Sequence, residues 1–179
     1  MGTKYIALLF VLILCFGCRK APASPLPEKP QIISEPKFDK SFAWQAYESP
    51  TIKFYVPGDW VKVLPEDQFS TVKVIFYDPE KTLMTIYAEE PFDGGLKSYA
   101  VSFFEEVKAD GGKFEEGTYT KINNETAIEV VFSKQHVAMI LFITIKNGFG
   151  YAFSCVGLKS NFEKIVKTCE SIVLTVSFK

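Results

Sequence analysis

Apolar side chains recur at helical spacing in two segments of the chain. The first stripe consists of Leu96, Tyr99, Ala100, Phe103, Phe104 and Val107, and the second consists of Phe162, Ile165, Val166, Cys169 and Ile172. We expect Asp93 to cap the first helix and Gly111-Gly112 to end it. The second begins with Ser160-Asn161-Phe162-Glu163, which has the spacing of a capping box. The two stripes therefore predict two amphipathic helices.

Most of the remaining segments between residues 52 and 156 alternate between apolar and polar residues, or are wholly apolar. Alternation with a period of two is typical of β-strands. The predicted strands lie at residues 52–56, 72–76, 84–86, 119–122, 127–132, 137–145 and 151–156. Turn-forming residues predict three hairpins, at Asp78-Pro79-Glu80-Lys81, Asn123-Asn124-Glu125 and Asn147-Gly148-Phe149-Gly150.

The run VAMILFITI, residues 137–145, is apolar at consecutive positions. A strand with one face in water alternates, whereas a strand that is covered on both faces does not. We therefore expect this strand to lie in the centre of a mostly antiparallel sheet, with the two helices on opposite faces. This is an α+β fold, a three-layer α/β/α sandwich.

The chain begins with a short apolar run that follows a single charge, Lys4. The run extends over 13 residues, from Tyr5 to Gly17, which is shorter than the roughly 20 apolar residues of a membrane-spanning helix. Its proportions are those of an export signal peptide over residues 1–17. The run ends in Leu14-Cys15-Phe16-Gly17-Cys18, which resembles the lipobox of bacterial lipoproteins.

In lipoproteins a small residue precedes a cysteine that is acylated and becomes the mature N-terminus. Gly17 and Cys18 match this pattern, whereas Cys15 and Phe16 depart from it. The resemblance implies lipidation of Cys18, with membrane lipid as a partner; the alternative is ordinary cleavage that leaves a free thiol. Since Arg19 rather than aspartate follows the cysteine, the resemblance implies an envelope protein of the outer membrane, facing the periplasm or the exterior.

Residues 18–40 predict a proline-rich linker between this anchor and a folded domain at residues 41–179. The prolines are Pro22, Pro25, Pro27, Pro30 and Pro36, and such a composition favours a semi-rigid spacer. Residues 19–40 hold five basic and three acidic residues, a net charge of +2, and residues 41–179 hold 14 basic and 18 acidic residues, a net charge of −4. Without a basic stripe, we expect no nucleic-acid partner.

The segment IKFYVPGDW, residues 52–60, resembles the opening signature of PsbP/Mog1-like domains, in which a strand runs into a Pro-x-x-Trp turn (Pro57, Trp60). Residues 122–127 resemble a second motif of that family, and the order of elements up to the terminal Ser177-Phe178 is similar. The resemblance covers residues 41–179 and implies an α/β/α sandwich that is not an enzyme. Members bind photosystem II, assist the assembly of membrane complexes or bind a small GTPase, and their partner-binding residues cannot be placed on this sequence.

Few residues suggest catalytic chemistry, and we predict no catalytic residue, metal or cofactor. The single histidine, His136, falls in a predicted turn between two strands, where we expect it to be exposed. The paired acids Glu89-Glu90, Glu105-Glu106 and Glu115-Glu116 do not form dyads by themselves, because neighbouring side chains diverge on a helix or strand. We expect them to lie on a solvated surface.

Two cysteines, Cys155 and Cys169, lie in the predicted folded domain. Cys155 falls on a predicted strand and Cys169 on the apolar stripe of the following helix, so the two side chains could face each other. An exported protein can form disulfides. Both a disulfide and two buried thiols are consistent with the sequence.

Aromatic residues make up 15% of the chain, and five of them are candidates for an exposed interaction surface. Three fall on the outward phase of their strands and two flank the first strands: Tyr55, Tyr77 and Tyr87, with Trp44 and Trp60. Exposed rings suit partner binding. The alternative is that another segment covers them.

Two functions from different classes are consistent with these observations. The first is a membrane-anchored lipoprotein that serves as a non-catalytic binding or assembly module of the cell envelope, with a protein partner. The second is an envelope carrier of a small ligand, or an enzyme, with a pocket between the sheet and a helix. The sequence favours the first.

Overall fold

The computed structural model describes residues 43–66 and 70–179. The predicted signal peptide, the linker and Cys18 lie outside these residues. No helix in the described part of the chain is long and apolar enough to cross a membrane.

Strands account for most of the described chain. The elements are, in order, β1 (Trp44–Glu48), β2 (Ile52–Pro57), β3 (Val61–Val63), β4 (Val72–Tyr77), β5 (Leu83–Pro91), α1 (Leu96–Ala109), β6 (Lys113–Ile122), β7 (Glu125–Lys134), β8 (Val137–Lys146), β9 (Phe149–Leu158), a 3₁₀ turn (Lys159–Asn161), α2 (Phe162–Val173) and β10 (Ser177–Phe178).

The strands form two antiparallel sheets. The larger has seven strands in the order β3-β4-β5-β9-β8-β7-β6, and the smaller has three in the order β1-β2-β10. The predicted α+β class and antiparallel pairing are confirmed. The prediction of a single sheet is wrong, because β2 pairs with β1 and β10 instead of joining the larger sheet. Alternation of side chains identifies the faces of a strand but not its partner.

The first layer consists of α1 on one face of the seven-stranded sheet. Its predicted stripe buries Tyr99, Ala100, Phe103 and Val107 in a core shared with β7 and β8. The Tyr99 ring lies against Gly150 of β9, where an added Cβ would overlap the ring. A glycine at this position therefore lets the helix approach the sheet closely.

The opposite face is covered by α2 together with the small sheet. α2 buries Ile165, Cys169, Ile172 and Val173 in a second core that also contains Ile52, Phe54 and Val56 of β2. The two helices thus lie on opposite faces of the seven-stranded sheet, as predicted.

Strand β8 contributes to both cores. Ile140 and Phe142 belong to the core under α2, and Met139, Leu141 and Ile143 belong to the core under α1. Since β8 lies between β9 and β7, the prediction of a central strand that is covered on both faces is confirmed.

The helix ends differ from two predictions. The N-cap of α1 is Gly95, which makes no side-chain capping bond, so Asp93 does not cap this helix. The predicted capping box of α2 is also wrong, because a 3₁₀ turn precedes the helix and the N–H of Phe162 bonds to the carbonyl of Lys159. The predicted stop after α1 is confirmed: Gly111 has a φ of +76°, and the N–H of Gly112 donates to Val107 O at 2.8 Å.

The three predicted hairpin turns are present. Asn123 and Asn124 have φ values of 46° and 68° between β6 and β7, and Asn147 and Gly148 have values of 52° and 77° between β8 and β9. Positive φ at both central residues is typical of type I′ turns. Between β4 and β5, the buried Asp78 carboxylate accepts from the backbone N–H groups of Thr82 at 2.7 Å and Leu83 at 2.9 Å.

A disulfide joins Cys155 of β9 to Cys169 of α2, with Cα atoms 5.7 Å apart. Both residues are completely buried. Of the two alternatives that the sequence left open, the structure contains the bonded pair.

Reducing this disulfide is expected to lower the free energy of unfolding by about 3 kcal/mol, because the bond restricts the unfolded chain. The measurement is denaturant unfolding with and without reductant. The double variant Cys155→Ala/Cys169→Ala is the control, since its midpoint should not respond to reductant. If both cysteines react with an alkylating agent in denaturant without reductant, the chain does not form the bond.

Candidate interaction surface

Two of the five candidate surface aromatics are buried, so for these two the alternative holds, that another segment covers them. Tyr87 is 0% exposed and Trp60 is 8% exposed. Tyr87 points towards the face of β5 that β2 covers, and its ring lies 5.2 Å from that of Phe54. Trp60 follows the turn after β2 and belongs to the same core. Both rings belong to the core that the small sheet helps to close.

The other three candidate aromatics are half-buried and have different surroundings. Trp44 packs against the core under α2, and Tyr77 packs against the core under α1. Tyr55 lies on the outer face of β2, where the Lys53 ammonium is 5.4 Å from its ring centroid. The five predicted residues therefore do not form one aromatic surface.

The structure instead exposes an aliphatic surface that was not predicted. Val61 is 54% exposed, Val63 41% and Leu64 60%, and we call these three residues the entry edge. They lie in and just after β3, the outermost strand of the seven-stranded sheet. Val61 pairs with Tyr77 and Val63 with Ile75 of β4. The alternation of Val61, Lys62 and Val63 is typical of a strand, but three residues are too few for such a pattern to predict one.

The described chain enters the fold beside this edge. The carbonyl of Ala43 accepts a hydrogen bond from the N–H of Gly58 at 2.6 Å. The Gln45 side chain donates to Pro57 O at 3.0 Å and to Trp60 O at 2.7 Å. These bonds fix the first strand to the turn that leads into β3, so the entry edge is close to where the preceding chain emerges.

The paired acids do not all lie on a solvated surface, as was expected, because several are hydrogen-bonded or partly buried. Glu89 accepts hydrogen bonds from the Thr51 hydroxyl at 2.6 Å and from the Tyr87 hydroxyl. Its neighbour Glu90 lies on the other face of β5 and interacts with Glu106 of α1. Burial, and then the Glu90 charge, raise the pKa of Glu106 to about 7.

A second group of carboxylates lies on the α2 side of the sheet. Burial, followed by the charges of Glu170 on α2 and Glu116 on β6, raises the pKa of Glu129 on β7 to about 7. Glu115 differs from its neighbour Glu116, because hydrogen bonds from Ser133 and Lys113 lower the pKa of Glu115. In Glu89-Glu90 and in Glu115-Glu116, the two neighbouring carboxylates thus have different surroundings.

The remaining candidate for chemistry is a surface residue. His136 is exposed in the turn between β7 and β8, and its carbonyl accepts from the N–H of Lys159 at 2.8 Å. Among residues 43–66 and 70–179, no group of three or more His, Cys, Asp or Glu side chains is arranged to hold a metal ion.

The raised pKa values of Glu106 and Glu129 predict a pH-dependent stability. Between the ordinary glutamate pKa and about pH 7, the folded chain holds protons that the unfolded chain has released, so the free energy of unfolding falls as pH rises. Denaturant unfolding from about pH 5 to about pH 8 measures this slope. The double variant Glu106→Gln/Glu129→Gln should flatten it.

Glu115→Gln is the matched control, since it also removes a carboxylate. The pKa of Glu115 is lowered, so this group is ionised in both states above the ordinary glutamate value, and its replacement should leave the slope unchanged there. A double variant with the slope of the unmodified chain would contradict the prediction.

The fold is similar to several solved structures, although no protein-family profile and no curated protein matches the sequence. The cyanobacterial PsbP protein of Synechocystis aligns with a TM-score of 0.63 at 10% identity, covering 76% of this chain and 92% of that one.

Two further structures align over similar lengths. The Ran-binding protein Mog1p of Saccharomyces cerevisiae has a TM-score of 0.52 at 11% identity, covering 76% of this chain and 96% of that one. LpqN of Mycobacterium tuberculosis is described as involved in cell envelope biogenesis. It has a TM-score of 0.52 at 16% identity, covering 78% of this chain and 92% of that one. The described domain therefore has the PsbP/Mog1-like fold.

Proposed function

We propose that this chain is a bacterial lipoprotein, acylated on Cys18, whose domain is a non-catalytic binding or assembly module of the cell envelope. The lipid anchor is supported by the sequence: an apolar run with the length of an export signal ends on Gly17-Cys18 and is followed by a basic, proline-rich linker. The lipoprotein pattern after Cys18 favours the outer membrane.

The binding role is supported by the fold. The same fold occurs in a protein described as Ran-binding and in one described as involved in envelope biogenesis. An exposed aliphatic edge on an otherwise well-packed sandwich also suits a contact surface. We expect a protein partner whose identity the fold does not specify.

The geometry gives no comparable support to an enzyme. The two carboxylates with a pKa near 7 have the property that an acid–base catalyst needs. Glu129 pairs with Phe142 of the core under α2, whereas Glu106 lies on α1. The seven-stranded sheet therefore separates them, and they cannot act as a pair.

The anchor is tested by expressing the full chain in a Gram-negative host and measuring the intact mass of the membrane-extracted product. We expect a chain that starts at Cys18 and carries more than one acyl group, because several chains on one cysteine give stable anchoring. Cys18→Ser should abolish acylation. Cys15→Ser is the matched control, since Cys15 lies in the removed leader and its replacement should leave acylation intact.

A product that retains Met1, or that carries an unmodified thiol at Cys18, would contradict the anchor. The binding role is tested separately by mild crosslinking of the anchored protein in its native membranes. Recovery of lipid alone, without a crosslinked protein, would count against a protein-binding module.

A further inference from the structure

The entry edge concentrates exposed aliphatic surface in a short segment. Three of the exposed large apolar side chains of the described chain fall within residues 61–64, whereas Phe114, Leu158 and Leu174 lie singly on other elements. A soluble surface tolerates isolated apolar side chains, but a contiguous group indicates a surface that is covered during function.

The position of the edge relates it to the anchor. The described chain begins at Ala43, which is hydrogen-bonded to Gly58, three residues before Val61. The 24 residues from Arg19 to Phe42 span at most about 80 Å when fully extended. A domain anchored through Cys18 can therefore reach the membrane. The described chain enters through the small sheet on the α2 face, whereas Val61 and Val63 lie on the α1 face at the same edge of the large sheet.

The composition of the edge fits an interface between water and lipid. Val61 and Val63 share one face of β3, and the intervening Lys62 points to the other, where its ammonium lies 5.2 Å from the Tyr47 ring centroid. Residues 59–66 hold one basic residue, Lys62, and two acidic residues, Asp59 and Glu66, a net charge of −1, so burial of the aliphatic side chains, and not charge, is the attraction. Insertion of such side chains into the headgroup region is a recognised mode of peripheral binding.

A peptide strand added to β3 fits less well. Such a partner gains its affinity from main-chain hydrogen bonds along the edge, and β3 offers only three residues before Pro65. A lipid surface needs no ladder of hydrogen bonds. Because the chain is already tethered, even a weak contact would be populated at the high local concentration of membrane.

We infer that the entry edge, Val61, Val63 and Leu64, docks on the surface of the lipid bilayer that holds the acylated Cys18. This inference rests on the proposed lipid anchor. Docking orients the domain, with β3 at the membrane and β6, the other edge of the sheet, about 29 Å away across six strand spacings. The opposite edge is then the part presented to a partner.

The test uses the full acylated protein reconstituted into vesicles of phosphatidylethanolamine and phosphatidylglycerol. Leu64→Cys introduces a single free thiol, because Cys18 is acylated and Cys155 and Cys169 are bonded. An environment-sensitive fluorophore on this thiol should show blue-shifted emission and lose most of its intensity when the lipids carry bromine on their acyl chains. Lys121→Cys, exposed on β6, is the matched control and should show neither change.

The same samples separate the two proposals. If the protein does not sediment with the vesicles, the anchor fails. If it sediments but the label at position 64 behaves like the label at position 121, the anchor stands and docking is overturned. A label at position 64 that is blue-shifted but not quenched by brominated lipid would show that a second copy covers the edge, which also overturns docking.

Discussion

The packing of β2 against the seven-stranded sheet is the interaction on which the α2 side of the domain depends. β2 makes no ladder with the large sheet, so aromatic contacts hold it there: the Phe54 ring lies 5.3 Å from Phe153 and 5.2 Å from Tyr87. Edge-to-face geometry of this kind adds to the burial of the rings. A polar bond from the Thr51 hydroxyl to Glu89 of β5 reinforces it. The Tyr55 N–H donates to the Thr175 hydroxyl and so joins β2 to the segment that follows α2.

The sequence predicted the layers because they follow from local patterns. An apolar run that is bounded by turn residues, within a pattern of alternating strands, indicates a strand with two covered faces, as β8 is, and stripes at helical spacing identify the faces of α1 and α2. The separate small sheet could not be predicted, since the alternation of Ile52, Phe54 and Val56 is the same for any partner strand. The two cap predictions failed for different reasons: α1 begins after Gly95, two residues beyond Asp93, and a 3₁₀ turn comes between Ser160 and the start of α2.

The burial of candidate surface aromatics also depends on tertiary packing that local patterns do not show. Tyr87 falls on the outward phase of the apolar–polar alternation in β5. Its face of the strand is part of the core only because Phe54 of β2 packs on it. The entry edge is the converse case: Val61 and Val63 have the alternation of a buried strand but belong to the outermost position of the sheet. Exposure depends on what lies opposite a residue, which a single segment does not encode.

The width of the sheet explains why its outer strand is left exposed. Seven strands span about 29 Å, whereas a helix with its side chains is about 10–12 Å wide, so a single helix cannot cover one face. On the α2 side the small sheet supplies the missing cover. On the other face α1 contacts mainly β6, β7 and β8, and exposure rises at the far edge, where Val61 and Val63 lie. The sandwich therefore leaves Val61 and Val63 exposed on the α1 face of β3, at the same sheet edge as the turn that is hydrogen-bonded to the start of β1.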